Sequence, residues 1–334
     1  MPNPRKLLLP LSIVYKTVTG VRNQLYDQGI FDSMKFDIPV IAVGNLNMGG
    51  TGKSPMIEYL INLLSKDAKL ATLSRGYKRE SSGFQIVEIN DAASKSGDEP
   101  LQFKNKFPEI TVAVDANRVE GINRLNKSGS NLILLDDAFQ HRKVEAGFYI
   151  LLTSYNDLFT EDFVLPAGNL RESRHGARRA NVVVVTKCPQ DLVKAEQDEI
   201  RSKIKTYFNG PVFFSSIIYS EMIFAEKEHM LLKDIEQKDF VLVTGIANPV
   251  PMISYLAEMD IELKHFKFPD HHSFSKDEIE KLNTFKRILT TEKDYMRLKN
   301  TELAGKLYYL PIQTRIISDA ERFDELILSY AQKK

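Results

Sequence analysis

Six short, solidly apolar segments punctuate the chain: Val40–Val43, Leu70–Leu73, Thr111–Val114, Leu132–Leu135, Tyr149–Leu152 and Val182–Val185. Runs that are apolar at nearly every position suit strands covered on both faces. Helical patterns lie between them, for example Pro55–Leu64. Alternation of this kind predicts a mostly parallel α/β sheet. From about Gly210 the texture changes. "PVFFSSIIYSEMIFA" reads as one or two strands without an intervening helix. "FVLVTGIANPVPMISYLAEM" and "RILTTEKDYMRL" then restart the order of strand, turn and helix, so a second, smaller α/β unit is expected from about Met222 onward.

The first of the apolar segments opens "PVIAVGNLNMGGTGKS", Pro39–Ser54. A strand, a glycine-rich turn and a helix are the setting of a phosphate-binding loop. The helix follows, with Ile57, Leu60, Ile61 and Leu64 on one stripe. Glycines let successive N–H groups turn toward an anion, and the helix N-terminus adds its partial positive charge. The nucleotide-binding residues are therefore expected among Asn47, Met48, Gly49, Gly50, Thr51, Gly52, Lys53 and Ser54. Lys53 would reach the β- and γ-phosphates, and the Ser54 hydroxyl would hold Mg²⁺. Asn47 stands where the general pattern has its first glycine, and asparagine is among the residues that best tolerate positive φ. A metal partner is supplied by "NLILLDDAFQHR", an apolar strand ending in Asp136 and Asp137. Ligands of α/β sheets bind at that end of the strands.

The 334 residues suffice for one large or two medium domains, and a net charge of +1 provides no global field to recruit nucleic acid. A single cysteine, Cys188, excludes internal disulfides and a cysteine zinc cluster, and fits a reducing compartment. No cleavable signal pattern or membrane-spanning apolar run is seen, so a cytoplasmic protein is expected. Near the N-terminus, Leu7, Leu11, Val14, Val18, Val21 and Leu25 recur at helical spacing, accompanied by Arg5, Lys6, Lys16 and Arg22. Such a helix packs on its own domain or lies on an anionic bilayer surface.

The stretches "VGNLNMGGTGKSP", "LSRGYKRE", "GDEP", "DDAFQHR", "LPAGNLRE", "VVVTK", "FPDHHSF" and "TTEKD" occur in one order along nearly the whole chain. Together they resemble the tetraacyldisaccharide 4′-kinases, the lipid A 4′-kinases of Gram-negative bacteria. Ala138 departs from the glycine of that family's "DDGFQHR". The resemblance implies ATP- and Mg²⁺-dependent phosphorylation of the 4′-hydroxyl of a tetraacylated glucosamine disaccharide 1-phosphate. The acceptor is a lipid precursor of lipid A at the cytoplasmic face of the inner membrane, where the protein would be peripheral. It also implies a P-loop core joined to a smaller α/β domain by a two-stranded linker. The chain is then expected to divide into an N-terminal membrane-associating helix (1–28), a P-loop core (29–210), a β linker (211–225) and a smaller α/β domain (226–334).

The same resemblance suggests roles. Asp98 of "SKSGDEPLQF" becomes the general base, although its position before a helical stretch equally suits a cap. His271 of "FPDHHSFS" becomes its partner, with His272 the weaker candidate. Glu172 of "LPAGNLRE" joins Ser54, Asp136 and Asp137 as a metal-shell carboxylate. Arg118, His141, Arg142, Arg75 and Arg171, with Arg79 nearby, are candidates for the acceptor and its 1-phosphate, since arginine suits phosphate geometry. Two rivals remain. "VVVTKCPQD" partly resembles a guanine-reading segment of P-loop GTPases, but Pro189 occupies the position of the aspartate. A nucleotide-gated membrane adaptor would use the loop without a base or an acceptor.

Overall fold

The computed structural model describes residues 4–77 and 79–332. Lys78 of "LSRGYKRE", and the extreme ends of the expected N-terminal helix and second unit, lie outside the described residues. In chain order the strands are β1 Val40–Asn45, β2 Leu70–Ser74, β3 Gln85–Ile86, β4 Thr111–Val114, β5 Leu132–Asp136, β6 Phe148–Ser154, β7 Val182–Thr186 and β8 Val212–Tyr219. They continue with β9 Met222–Phe224, β10 His229–Leu231, β11 Phe240–Thr244, β12 Lys264–Lys267, β13 Arg287–Thr291, β14 Leu307–Leu310 and β15 Ile312–Ile316. The helices are α1 Leu9–Asp27, α2 Lys53–Leu64, α3 Ala93–Ser96, α4 Asp98–Lys106, α5 Arg118–Lys127, α6 Lys194–Lys205, α7 Val250–Glu258, α8 Lys276–Asn283, α9 Glu292–Leu298 and α10 Ala320–Ala331.

Two sheets organise the molecule. The larger runs β15-β8-β7-β6-β1-β5-β2-β4-β3. Its seven middle strands are parallel, and β3 and β15 close the edges antiparallel. All six strands expected from apolar runs are present in it. The smaller sheet runs β10-β9-β14-β13-β11-β12, parallel from β14 to β12. The fold is thus α/β, a mostly parallel P-loop-type core sheet with a second, smaller sheet.

The connection between the sheets differs from the expected contiguous linker at 211–225. The chain leaves the core sheet along β8 and returns along β15, and these two strands pair antiparallel from Ile312↔Tyr219 to Ile316↔Ser215. β9 already belongs to the smaller sheet. The expected second unit also ends too late. α10 packs back on the core sheet, where Phe323 is buried, Tyr59 on α2 donates to Asp324 and the Tyr330 hydroxyl bonds the backbone of Val40. The amphipathic pattern that reads as one more helix of the second unit therefore serves the first.

A single buried apolar cluster runs through both units, from Ile41, Ile57 and Leu134 to Val241, Ile288 and Leu298. α1 is arranged differently. Ser12 is its buried residue, and its polar side is the side that meets the body. Arg5, in the turn before it, donates to the carbonyls of Pro166 and Gly168, Ser12 Oγ accepts from Ala167 N, and Asn23 donates to Glu172. Leu7, Leu11, Val14, Val18 and Val21 are exposed. Of the stripe read from the sequence, only Leu25 at its end is half-buried, and the other five residues do not pack on the chain. Among the described residues, no helix is long and apolar enough to cross a membrane.

Candidate active site

β1 ends in Asn45, and the loop that follows is braced from both sides. The Asn45 carboxamide donates to Thr51 Oγ1 (2.8 Å), and Thr186 at the end of β7 donates to Thr51 O (2.8 Å). Lys187 Nζ donates to Gly50 O (2.5 Å). The "VVVTK" stretch thus buttresses the loop, a physical use that does not involve guanine. Gly52, the cap of α2, has φ +80°, a conformation that costs a glycine little. The amides that open α2, at Lys53 and Ser54, have no partners within the helix and are suited to an anion.

Asn47 and Met48 depart from expectation. Asn47 does not adopt positive φ; it forms a β-bridge with Leu170, and Met48 N donates to Asn169 O (2.7 Å). The loop closes by docking on the 164–171 segment, so the Met48 amide is already engaged. The part of the loop left to meet an anion narrows to Gly49–Ser54.

β5 lies beside β1, with Asp136 in register with Val43. Lys53 Nζ sits 3.7 Å from Asp137 Oδ1 and 3.4 Å from Asn45 Oδ1. Arg171 Nη1 donates to both oxygens of Asp137, at 2.9 and 3.1 Å. Together these cations outweigh burial and hold the Asp137 carboxyl below its usual range. Asp136 is buried, and its Oδ1 has no hydrogen-bond partner among the described residues, while Ser74 donates to Oδ2 at 3.3 Å. Burial first, and the neighbouring Asp137 second, push its carboxyl up to about 6. An orphaned buried carboxylate oxygen, a second carboxylate and the Ser54 hydroxyl make a hard oxygen set that fits Mg²⁺, which keeps waters and phosphate oxygens in its remaining positions. Ala138 is accommodated because the left-handed turn falls on Asp137 (φ 49°), one residue earlier.

Glu172 does not join this set. Arg179 grips both its oxygens (3.0 and 2.8 Å), Asn23 donates to one (2.5 Å) and Gln140 to the other (3.1 Å). Four donors fill its acceptor capacity, and its role is to join α1 to the "DDAFQHR" loop. Arg118 and Arg142, expected at the acceptor, are also engaged. Arg118 is buried, with its guanidinium on Asp115 O and Asp136 O, and burial lowers its pKa to about 10. Arg142 pairs with Asp27 (2.6 Å) and lies over the Tyr26 ring. Arg79 holds Gly83 O. Arg75 stays exposed. His141 is held down to about 4 by burial and by the charges of Arg118, Lys143, Arg22 and Arg75, so at neutral pH it is uncharged within a cationic surround.

Asp98 is brought together with His271 across the two sheets. Gly97, with φ +92°, caps α4, and Asp98 in its first turn makes no cap bond. Its Oδ2 meets His271 Nδ1 at 3.1 Å. His271 holds φ +56°, a strained conformation for a histidine, which is the kind of distortion that concentrates at functional sites. Lys293 Nζ lies 3.0 Å from His271 Nε2 and 3.0 Å from Glu99. Ser74, which ends β2, donates to Asp136, and Tyr77 three residues on packs edge-to-face on His271 at 5.7 Å, so the acid pair and the dyad both border the C-terminal end of β2. His272 instead bonds Glu278 in the helix cap of α8. Among the described residues, no group of three or more His, Cys, Asp or Glu is arranged to hold a metal ion. Asn45, Glu99, Lys293 and Arg297 were not foreseen. Lys293 and Arg297 lie in "TTEKDYMRL", whose local pattern reads only as a strand–helix junction and does not signal that the fold turns it toward Asp98.

Comparison with known proteins identifies the family and the fold. The model of one family, described as Tetraacyldisaccharide-1-P 4′-kinase, matches residues 4–332. The tetraacyldisaccharide 4′-kinase of Flavobacterium johnsoniae is 51% identical over 334 residues, covering 98% of each chain. That of Phocaeicola vulgatus is 42% identical, covering 98% of this chain and 95% of its own. Among solved structures, LpxK from Aquifex aeolicus, crystallised in complex with ATP, superposes with a TM-score of 0.80 at 30% identity, over 98% of this chain and 99% of that one.

Proposed function

Because this chain belongs to the tetraacyldisaccharide-1-P 4′-kinase family, we propose that it transfers the γ-phosphoryl group of ATP to the 4′-hydroxyl of a tetraacylated glucosamine disaccharide 1-phosphate, in line and without a phosphoenzyme. The observation that carries the reading is the convergence of three groups at one end of the core sheet. These are the Gly49–Ser54 loop with Lys53, the Asp136/Asp137 pair, and the Asp98–His271 dyad contributed jointly by both sheets.

The roles follow from the chemistry of the groups. The loop amides and Lys53 bind the triphosphate, with Lys53 exchanging its contacts to Asn45 and Asp137 for phosphate oxygens. Ser54, Asp136 and Asp137 are the residues that would hold Mg²⁺, which when bound supplies positive charge to the phosphate oxygens. A sugar hydroxyl is a poor nucleophile, so it needs a carboxylate to take its proton as the P–O bond forms. Asp98 stays ionised at neutral pH because Arg297, Lys293 and His271 together outweigh its burial. Arg75 and the cationic surround of His141 suit the acceptor's 1-phosphate. The exposed apolar stripe of α1 suits a peripheral position on the cytoplasmic face of the inner membrane. A cavity of about 290 Å³ beneath α1 has an apolar wall of Leu9, Ile13, Phe163, Val164 and Leu170 facing a polar one that includes Lys16, Asp162, Arg174 and His175, a combination that suits the acyl chain and headgroup of a lipid.

The test is incubation with ATP, Mg²⁺ and the tetraacylated disaccharide 1-phosphate. A product one phosphate heavier, carrying the new group at the 4′ position, is expected. Hydrolysis of ATP with no phosphorylated lipid would reject the reading.

A further inference from the structure

Asp98 is held by more than its histidine. The side chain of Arg297 on α9 is 8% exposed, and its guanidinium reaches from the smaller sheet's layer to the first turn of α4. Nε and Nη2 both donate to Asp98 Oδ2, at 3.0 and 2.5 Å. Nη1 donates to Asp294 Oδ1 (2.8 Å) and Gly245 O (3.1 Å). Asp294 is itself fully buried and fixed, accepting from Gly245 N and Thr291 Oγ1 at 2.8 Å each. The arginine therefore stands on a rigid support within its own unit and extends its fork to the other.

We propose that Arg297 is a positioning residue for the phosphotransfer, clamping Asp98 Oδ2 so that Oδ1 faces the acceptor hydroxyl and making the aim of the base depend on the seating of the two sheets. The proposal rests on Asp98 being the base. The contacts divide the two carboxylate oxygens unequally. Arg297 and His271 both converge on Oδ2, whereas Oδ1 has no hydrogen-bond partner among the described residues. His271 is itself flanked by cations, with Lys293 Nζ 3.0 Å from Nε2 and Arg297 Nη2 3.1 Å from Nδ1, the nitrogen that also meets Asp98 Oδ2. A carboxylate fixed by a forked donor on one oxygen has little rotational freedom left in the other, which is the preorganisation a proton acceptor needs.

The charged groups around Asp98 are Arg297 and Lys293 from α9, His271 from the connection between β12 and α8, and Glu99 beside it on α4. Asp270 and Asp294 lie behind Lys293 and Arg297. Removing the guanidinium withdraws the cation nearest the carboxylate. The Asp98 carboxyl then titrates higher, and the acidic limb of the rate profile moves up with it.

The experiment compares wild type, Arg297→Met, Arg297→Lys and Asp98→Asn in the full chain, measuring kcat, KM for ATP and for the lipid acceptor, and the dependence of kcat on pH. Arg297→Met is expected to lower kcat at pH 7 roughly 10- to 100-fold with KM for ATP within about twofold. Its acidic limb is expected at higher pH than that of wild type. Arg297→Lys restores the charge without the fork, so it should return the limb toward wild type while kcat stays depressed. Wild-type kcat and an unmoved limb in Arg297→Met would overturn the proposal. Should that variant fail to fold, Arg297→Lys decides, with an undiminished kcat overturning it. Asp98→Asn separates the two readings. If it keeps wild-type turnover, the base assignment fails; if it is inactive while both Arg297 variants are fully active, only the role of Arg297 fails.

Discussion

A lysine that already touches a carboxylate and a carboxamide has partners to exchange when phosphate arrives, and Lys53 is such a residue. Its removal leaves Asp137 still paired with Arg171, so no buried charge is stranded. Lys53→Ala is therefore expected to keep its melting temperature within a few degrees and to lose phosphotransfer by about 10²- to 10³-fold, as when one preorganised charge is taken from a transition state. Product formation followed by mass, beside a thermal melt, checks both halves; turnover within about threefold of wild type would count against the phosphate loop. Lys53 was legible from sequence because strand, glycines, lysine and helix lie within sixteen residues. Asp98 and His271 were legible only through family likeness, since the chain by itself shows a capping aspartate and a loop histidine. Arg297 was not legible at all. Its partner Asp98 is 199 residues away, and local pattern carries no information about a contact made by the docking of two sheets.

At the scale of elements, α2, α4 and α9 meet around a buried ionic cluster. Lys106 on α4 donates to Glu58 on α2 and to Glu292 on α9, at 2.7 Å each, and Gln102 donates to Glu58 at 2.7 Å. The helix that follows the glycine loop, the helix that carries Asp98 and the helix that carries Arg297 are thereby joined by one ammonium. Lys106→Met strands two buried carboxylates beside each other and should cost about 3–5 kcal/mol. Glu58 contributes a pH dependence of its own. Burial, with Glu292 second, raises its carboxyl to about 7. A folded pKa above the unfolded one means that the proton favours the folded state. The stabilisation is complete below about pH 4.3 and is lost as pH rises through 7. Wild type should thus lose up to about 3 kcal/mol relative to Glu58→Gln between pH 4.5 and 8. Denaturant midpoints of both proteins across that range test it, and parallel curves would remove Glu58 as the titrating group. The elements themselves were largely legible, because parallel strands buried on both faces are apolar throughout. The pairing of β8 with β15 was not. Short β segments look alike whether they serve one sheet or another, and α10 carries the same amphipathic signal whichever sheet receives it.

For the whole molecule, the proposed orientation toward a bilayer rests on α1. Arg5 and Arg22 tie it to the body, through Pro166 O, Gly168 O and Gln140 O, while Lys6 and Lys16 remain exposed beside the apolar stripe. A helix that buries its polar side and exposes its apolar one gains nothing from water, but it gains from the interface of an anionic membrane. Leu11, Val14 and Val18 are 58%, 61% and 62% exposed, and none is part of the contacts that dock the helix. Replacing all three with Gln should therefore leave the melting temperature within about 2 °C, since surface changes of this kind rarely shift stability. At half the transfer value of a fully buried side chain, the three sum to roughly 2–4 kcal/mol, or a 30- to 1,000-fold weaker partition into vesicles containing anionic lipid. Turnover of a short-chain, water-dispersed acceptor should stay near wild type, because the loop, the acid pair and the dyad are untouched. Vesicle flotation of the intact and triply substituted chains measures the difference. Equal partition of the two would show that the outward stripe is not the membrane contact, and that lipid reaches the site by another face.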